Sequence, residues 1–248
     1  MTDLPLKIVS LVPSWTETLL ACGVDVVGRT RFCIHPEHLV SEIVVVGGTK
    51  SFDLKKILQL QPDFVVVDKQ ENTKAMADEL LAAGVTLLIT DVVHFSSLID
   101  SCRDLGSKLK NSKLTEVADC YELVLKDFSK KVDLQKFVKN CLLQGEFHLA
   151  DHYAYVIWKK PFMVIGQNTF ISENFKLVGV AFDFADKYPE ISDEALKNYF
   201  CFFSSEPFPF LKSYSALISE GYKGVVVDGE KLSWYGVRNL AFLEQCLK

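Results

Sequence analysis

The chain has 248 residues, 49% of them hydrophobic and 24% charged, enough for one large domain or two lobes. A net charge of -5 without a Lys/Arg cluster argues against a nucleic-acid surface, and no apolar run approaches the length of a membrane span. The seven cysteines are scattered with no CxxC pair, which argues against a zinc knuckle or thioredoxin motif and suits buried free thiols in a reducing compartment.

Met1 to Lys7 leads almost directly into an apolar run, with no basic segment, apolar segment and cleavage site in series, so the expected location is cytoplasmic. A chain trimmed of a signal peptide would read the same way, which leaves a periplasmic location as the alternative.

Ile8 to Val12 reads as a short buried strand. Ser14 or Thr16 is placed to cap a helix that Gly23 ends, and Val24 to Gly28 forms a second strand. A loop from Arg29 to Pro36 and the apolar run Val44-Val45-Val46 lead to the turn Gly47-Gly48-Thr49-Lys50. Asp53 caps a helix through Leu60, and Pro62-Asp63 introduces strand Phe64 to Val67. Asp68 to Thr73 opens the next helix, which Gly84 ends before strand Thr86 to Thr90. Strand and helix alternate over short connections, which predicts a parallel sheet covered on both faces.

From Phe95 to Lys131, apolar residues such as Leu98, Cys102, Leu105, Val117, Tyr121 and Phe128 recur at helical spacing. One helix of that extent would be roughly 50 Å long, which suits a strut between two lobes; Asn111-Ser112 offers a break into two helices. The alternation then resumes with Tyr153 to Trp158, a helix around Phe170 to Leu177, a short capped helix at Ile191 to Leu196 and strand Tyr199 to Phe203. A helix Tyr214 to Glu220, strand Gly224 to Asp228 and a helix from about Gly236 finish the chain. The expected organisation is an N-terminal α/β lobe over 1–94, an interlobe helix over 95–131 and a C-terminal α/β lobe over 132–248.

Ligands of open parallel sheets sit beyond the carboxyl ends of the strands, so the turns there are the candidate site. Trp15, Arg31, Lys50, Lys69, Glu71 and Asn72 belong to such turns in the first half. Trp158, Lys159, Ser205, Glu206, Tyr235 and Arg238 belong to them in the second. Aromatic walls with a few cations and amides describe a cleft for a small, anionic or metal-containing ligand. Cys33 and His35 are a tight thiol and imidazole pair that could serve a soft metal, although two ligands cannot complete a structural zinc shell. Alternatively His35 caps or hydrogen-bonds the loop before Pro36. The Walker, dinucleotide and nucleophile-elbow motifs are all missing from the sequence, and no constellation compels catalysis.

Three stretches carry a resemblance: Ile8-Val9-Ser10-Leu11-Val12-Pro13-Ser14-Trp15-Thr16-Glu17, Gly47-Gly48, and Asp53-Leu54-Lys55-Lys56-Ile57-Leu58-Gln59-Leu60-Gln61-Pro62-Asp63-Phe64-Val65. The chain resembles the periplasmic binding proteins for cobalamin and ferric siderophores, the helical-backbone metal receptors or class III substrate-binding proteins. Tyr188 to Glu194 is similar to that family's second-lobe turn.

The resemblance implies two Rossmann-like lobes joined by one long helix, with a ligand cleft between them and little hinge motion. It implies a monomeric, non-enzymatic receptor that needs no cofactor and hands a corrinoid or ferric siderophore to an ABC permease. In the family a carboxylate on each lobe faces the permease. Glu194 keeps the second, whereas Lys55 stands at the first and would weaken docking. The alternative is a cytoplasmic enzyme on the same scaffold, chelatase-like or cofactor-remodelling, that uses Cys33 and His35.

Overall fold

The computed structural model of the protein describes residues 5–248; the part of the export-signal reading that concerns Met1 to Leu4 lies outside them. Packing divides the chain into two units, residues 1–122 with 235–238, and residues 123–234 with 239–248. The first unit therefore extends past residue 94 and recovers a short piece from near the C-terminus.

The first unit runs β1 (Ile8–Ser10), α1 (Pro13–Ala21), β2 (Val26–Thr30), α2 (Glu37–Val40), β3 (Val44–Gly47), α3 (Leu54–Leu60), β4 (Phe64–Asp68), α4 (Lys74–Ala82), β5 (Leu87–Thr90) and α5 (Phe95–Lys108), and includes the start of α6 (Ser112–Leu125). Its sheet has the order β3-β2-β1-β4-β5, with every neighbouring pair parallel. Ile8, Val9 and Ser10 of the central β1 are fully buried, as expected for a strand covered on both faces.

Local chemistry sets the helix ends. The Asp53 carboxylate accepts from the Lys56 amide at 3.1 Å to start α3, and Gln61 takes a left-handed φ of 48° where that helix stops before Pro62. Thr73 does the same for α4, accepting from the Met76 amide at 3.3 Å. The expected cap of α1 by Ser14 or Thr16 is not formed. Pro13 occupies the first helical position, which suits a residue without an N–H, and Thr16 lies inside the helix with its hydroxyl donating back to Val12 O at 3.0 Å.

The stretch expected as one helix from 95 to 131 is broken. Lys110 takes φ 51° after α5, and Asn111 then starts α6, accepting from the Leu114 amide at 3.3 Å and donating to Cys22 O at 3.1 Å. A Cβ on Gly106 would come within 2.7 Å of Thr115 Oγ1, so glycine permits the close return at this corner.

The second unit takes up the end of α6 and continues with α7 (Phe128–Lys131), α8 (Leu134–Cys141), β6 (Leu142–Gln144), β7 (Tyr153–Trp158), β8 (Phe162–Val164), α9 (Phe170–Lys176), β9 (Glu190–Ile191), α10 (Asp193–Leu196), β10 (Phe200–Ser204), α11 (Phe210–Ser219), β11 (Lys223–Val227), α12 (Gly229–Ser233) and α13 (Val237–Leu247), the last mostly within it. Its sheet order is β6-β11-β10-β7-β8-β9. The centre β7-β10-β11 is parallel, but β6, β8 and β9 pair antiparallel. The tight turn Lys159 to Pro161 can join β7 to β8 only as an antiparallel hairpin, so the parallel expectation holds at the centre and fails at the edges. One face of this sheet packs on an aromatic core, with Phe175 4.8 Å from Phe202 and 5.3 Å from Phe137, and Phe137 5.1 Å from Phe242 between ring centroids. Among the described residues no helix is long and apolar enough to cross a membrane.

Candidate functional site

In the first unit a buried polar network ties together the turns at the carboxyl ends of the strands. Asp68, the last residue of β4, is fully enclosed. Its Oδ2 accepts from Thr90 Oγ1 at 2.6 Å and from the Val92 amide at 3.1 Å, and its Oδ1 accepts from the Gln70 amide at 2.8 Å. Four residues later Asn72 accepts from the Asp68 amide at 2.9 Å and donates to Leu11 O at 3.2 Å and Thr49 O at 2.9 Å. One amide thereby laces the turns after β1, β3 and β4.

Trp15 and Tyr235 complete this floor. Trp15 has no exposed surface and donates from Nε1 to Thr90 Oγ1 at 2.9 Å. Tyr235 meets it edge-on at 5.3 Å and is nearly enclosed beside Ser14 and Asp68. Burial, with the Asp68 and Glu71 carboxylates nearby, pushes its phenol well above the ordinary value. Trp15, Asn72 and Tyr235, expected at the ligand, are thus placed at the turns where a ligand would be met, with Trp15 and Asn72 hydrogen-bonded to residues of the same unit.

Arg238, also expected at the ligand, has a carboxylate partner in the first unit. Its guanidinium makes two 2.8 Å bonds to the Glu17 carboxylate, with both side chains mostly buried. Cys33 is fully buried, with its thiol 3.0 Å from Thr16 Oγ1 and 3.1 Å from Thr30 Oγ1, and burial raises its pKa. A protonated, enclosed thiol is a poor metal ligand. His35 remains half-buried in the loop, and among the described residues no group of three or more His, Cys, Asp or Glu side chains is placed to hold a metal ion.

The accessible rim of this unit carries charge. Arg31 is exposed, with its guanidinium 5.0 Å from the Phe32 ring centre. Lys50 is exposed and reaches Gln70 O at 3.5 Å; Lys69 pairs loosely with Asp91 at 3.3 Å. Glu71 is half-buried; burial pushes its carboxyl up, the Lys50 cation partly offsets this, and Asp68 adds to it. A cavity of about 380 Å³ opens beside Asp68, Lys69, Asn72 and Lys74.

In the second unit the corresponding turns follow β7, β10 and β11. Trp158 ends β7 with 40% of its surface exposed and packs edge-on against Phe208 at 5.7 Å. Lys159 pairs with Glu220 at 2.9 Å and lies over the Phe162 ring. Ser205 accepts from the Gly229 amide at 2.9 Å. Glu206 accepts on one oxygen from Ser233 Oγ at 2.9 Å and from Trp234 Nε1 at 3.1 Å, and burial raises its carboxyl. Glu194 is exposed in the first turn of α10. A separate cavity of about 750 Å³, lined by residues such as His152, Tyr199, Tyr214 and Lys223, opens at the amino ends of β10 and β11, the opposite end from these turns.

The sequence reading passed over Asp68 as an organiser and Glu17 as a partner. Asp68 had a readable signal, a carboxylate ending an apolar strand, whereas the partner of Glu17 lies 221 positions away and leaves no local trace.

A family model described as "Periplasmic binding protein" matches residues 8–200. The vitamin B12-binding protein of Vibrio cholerae is 25% identical over 193 residues, 76% of this chain and 65% of that protein. That of Salmonella choleraesuis is 25% identical over 101 residues, 41% of this chain and 38% of its own length. The chain thus matches less than two thirds of the length of either curated relative. A periplasmic heme-binding protein from Pseudomonas aeruginosa has the same fold, with a TM-score of 0.75 at 20% identity over 98% of this chain and 92% of that one. These findings overturn the cytoplasmic expectation, because the family so described is periplasmic; neither the first residues of the chain nor its free cysteines identify the compartment.

Proposed function

Because the chain belongs to the periplasmic binding protein family, we propose that it is the substrate-binding receptor of an ABC-type transporter, and that it captures a small metal-containing or anionic ligand such as a corrinoid, heme or ferric siderophore. The observation that carries this reading is the family match over residues 8–200, which includes every strand of the first sheet. The turns beyond those strands offer Arg31, Lys50, Lys69 and Glu71 on a floor held rigid by Asp68 and Asn72. The second unit offers Trp158, Ser205 and Glu206 in the equivalent turns. Preorganised polar groups are what ligand capture without chemistry requires.

The permease partner would meet Glu194, exposed on α10, and Lys55, exposed on α3. A lysine at the second of these contacts disfavours a basic permease surface, so docking is weaker than with a carboxylate there, and Lys55→Glu should strengthen it.

The test is thermal unfolding against cobalamin, cobinamide, hemin, ferric siderophores and free divalent metals. A ligand at one hundred times its Kd stabilises by about 2.7 kcal/mol, a readable shift. A shift with an intact complex supports the receptor reading; a panel without any shift refutes it for these ligand classes.

A further inference from the structure

Glu206 is a carboxylate whose two oxygens the protein treats differently. It stands two residues past the end of β10, in the turn that also carries Ser205 and Phe208. Its amide donates to Ser204 Oγ at 3.4 Å, which holds the backbone. Its Oε1 accepts from both Ser233 Oγ and Trp234 Nε1, at the end of α12. The start of α12 is pressed against the same turn: a Cβ on Gly229 would lie 2.9 Å from Glu206 Cγ and would collide with Ser204 Oγ. Oε1 is therefore occupied and the side chain fixed. Oε2 has no hydrogen-bond partner among the described residues and is not among the enclosed atoms.

The surroundings of Glu206 are acidic, and its turn carries an aromatic contact. Glu230 and Asp228 are the charged neighbours that act on Glu206, and the Lys231 ammonium, from the same helix as Glu230, donates to Asn140 O at 2.9 Å. Trp158, against Phe208 of the same turn, supplies an exposed apolar surface. The turn thus presents a fixed acceptor, backed by further negative charge, beside a flat hydrophobic face.

We propose that Glu206 is a specificity-determining residue, whose Oε2 accepts hydrogen bonds from N–H groups of the ligand and turns away ligands that present carboxylates there. This rests on the receptor reading above and narrows its ligand class to one with an apolar face rimmed by amide or ammonium donors. An N–H aimed at a fixed carboxylate oxygen makes a charge-assisted bond, whereas a ligand carboxylate would face Glu206, Glu230 and Asp228 together. The ligands named for the relatives divide on this point: the corrin ring of vitamin B12 is rimmed by primary amides, whereas heme ends in two propionates.

The fixed geometry makes glutamine a clean substitution. In Glu206→Gln the amide oxygen still accepts from Ser233 and Trp234, while an NH₂ donor replaces the oxygen offered to the ligand. The experiment is fluorescence titration of the full chain and of Glu206→Gln with two probes, dicyanocobinamide and hemin, with thermal unfolding of both proteins as a folding control. The expected result is tighter binding of cobinamide than of hemin by the native chain, and a ratio at least tenfold smaller in Glu206→Gln with unfolding little changed. A native preference for hemin, or a ratio that the substitution leaves unchanged, overturns the assignment of Glu206 and leaves the receptor reading intact. If the native chain binds neither probe, the tetrapyrrole receptor reading falls and the assignment falls with it.

Discussion

Asn72→Ala distinguishes a residue that holds the site from one that touches the ligand. Asn72 is 7% exposed, and its side chain makes three hydrogen bonds, from the Asp68 amide and to the Leu11 and Thr49 carbonyls. Alanine removes all three and leaves their partners inside. At about 1 kcal/mol for each net bond the loss is about 3 kcal/mol, and more where a stranded group stays dry. For a chain of this size that corresponds to a drop in Tm of roughly 6–12 °C. Asn72→Asp separates bonding from volume: it keeps the acceptor for the Asp68 amide but sets a carboxylate oxygen against two carbonyls, so it should destabilise at least as much while filling the same space. The assay is urea unfolding followed by tryptophan fluorescence, to which Trp15 contributes from the same unit and Trp158 and Trp234 from the other. An Asn72→Ala protein of native stability that no longer binds ligand would refute the clamp and return Asn72 to the binding surface.

Other outcomes follow from the same geometry. Removing either Glu17 or Arg238 should cost about 2 kcal/mol, because two charge-assisted bonds break in a mostly buried place; a double-mutant cycle should return a coupling of about 1–2 kcal/mol, and no coupling would mean the pair is incidental. Arg31→Ala should leave unfolding unchanged, since the side chain is exposed, but should weaken capture of an anionic ligand about tenfold by calorimetry. Burial raises the carboxyl of Glu71, so the fold binds its proton more tightly than the unfolded chain does. Its contribution to stability is most favourable at low pH, falls as pH climbs through the ordinary carboxyl range and levels off above the folded value. Glu71→Gln should therefore be more stable than the native chain at neutral pH, with the gap closing below about pH 4; a gap that widens toward acid would contradict this sign.

What could be read from the sequence was what is local. The stretch from Asp53 to Val65 became a cap, a helix, a left-handed stop and a strand, because each step depends on neighbours a few residues away. The break at Lys110 and Asn111 was legible only as an option, since the side chain that starts α6 also reaches Cys22 from a distant helix. The short strands β8 and β9 carry too few residues for a period to show. At the candidate turns, residue type did not indicate which side chains face outward. Trp15 and Trp158 look alike in sequence, yet one donates to a buried threonine and the other is 40% exposed. Such outcomes depend on pairings between positions as far apart as Glu17 and Arg238, and periodicity carries no record of them.

The return of residues 235–238 to the first unit sets a limit on dissecting the gene. A fragment ending at Glu122 would keep all five strands of the first sheet but lose the ring that abuts Trp15, the Gly236 carbonyl that receives the Tyr121 hydroxyl at 2.7 Å, and the Arg238 partner of Glu17. It would also leave Thr18 without the Val237 amide at 3.2 Å. No contiguous stretch that stops short of this tetrapeptide encodes a finished first unit. During synthesis the first sheet is made early, but its last cover emerges only after every strand of the second sheet, so autonomous folding of the first unit would require those four residues to be supplied in trans or spliced on by permutation.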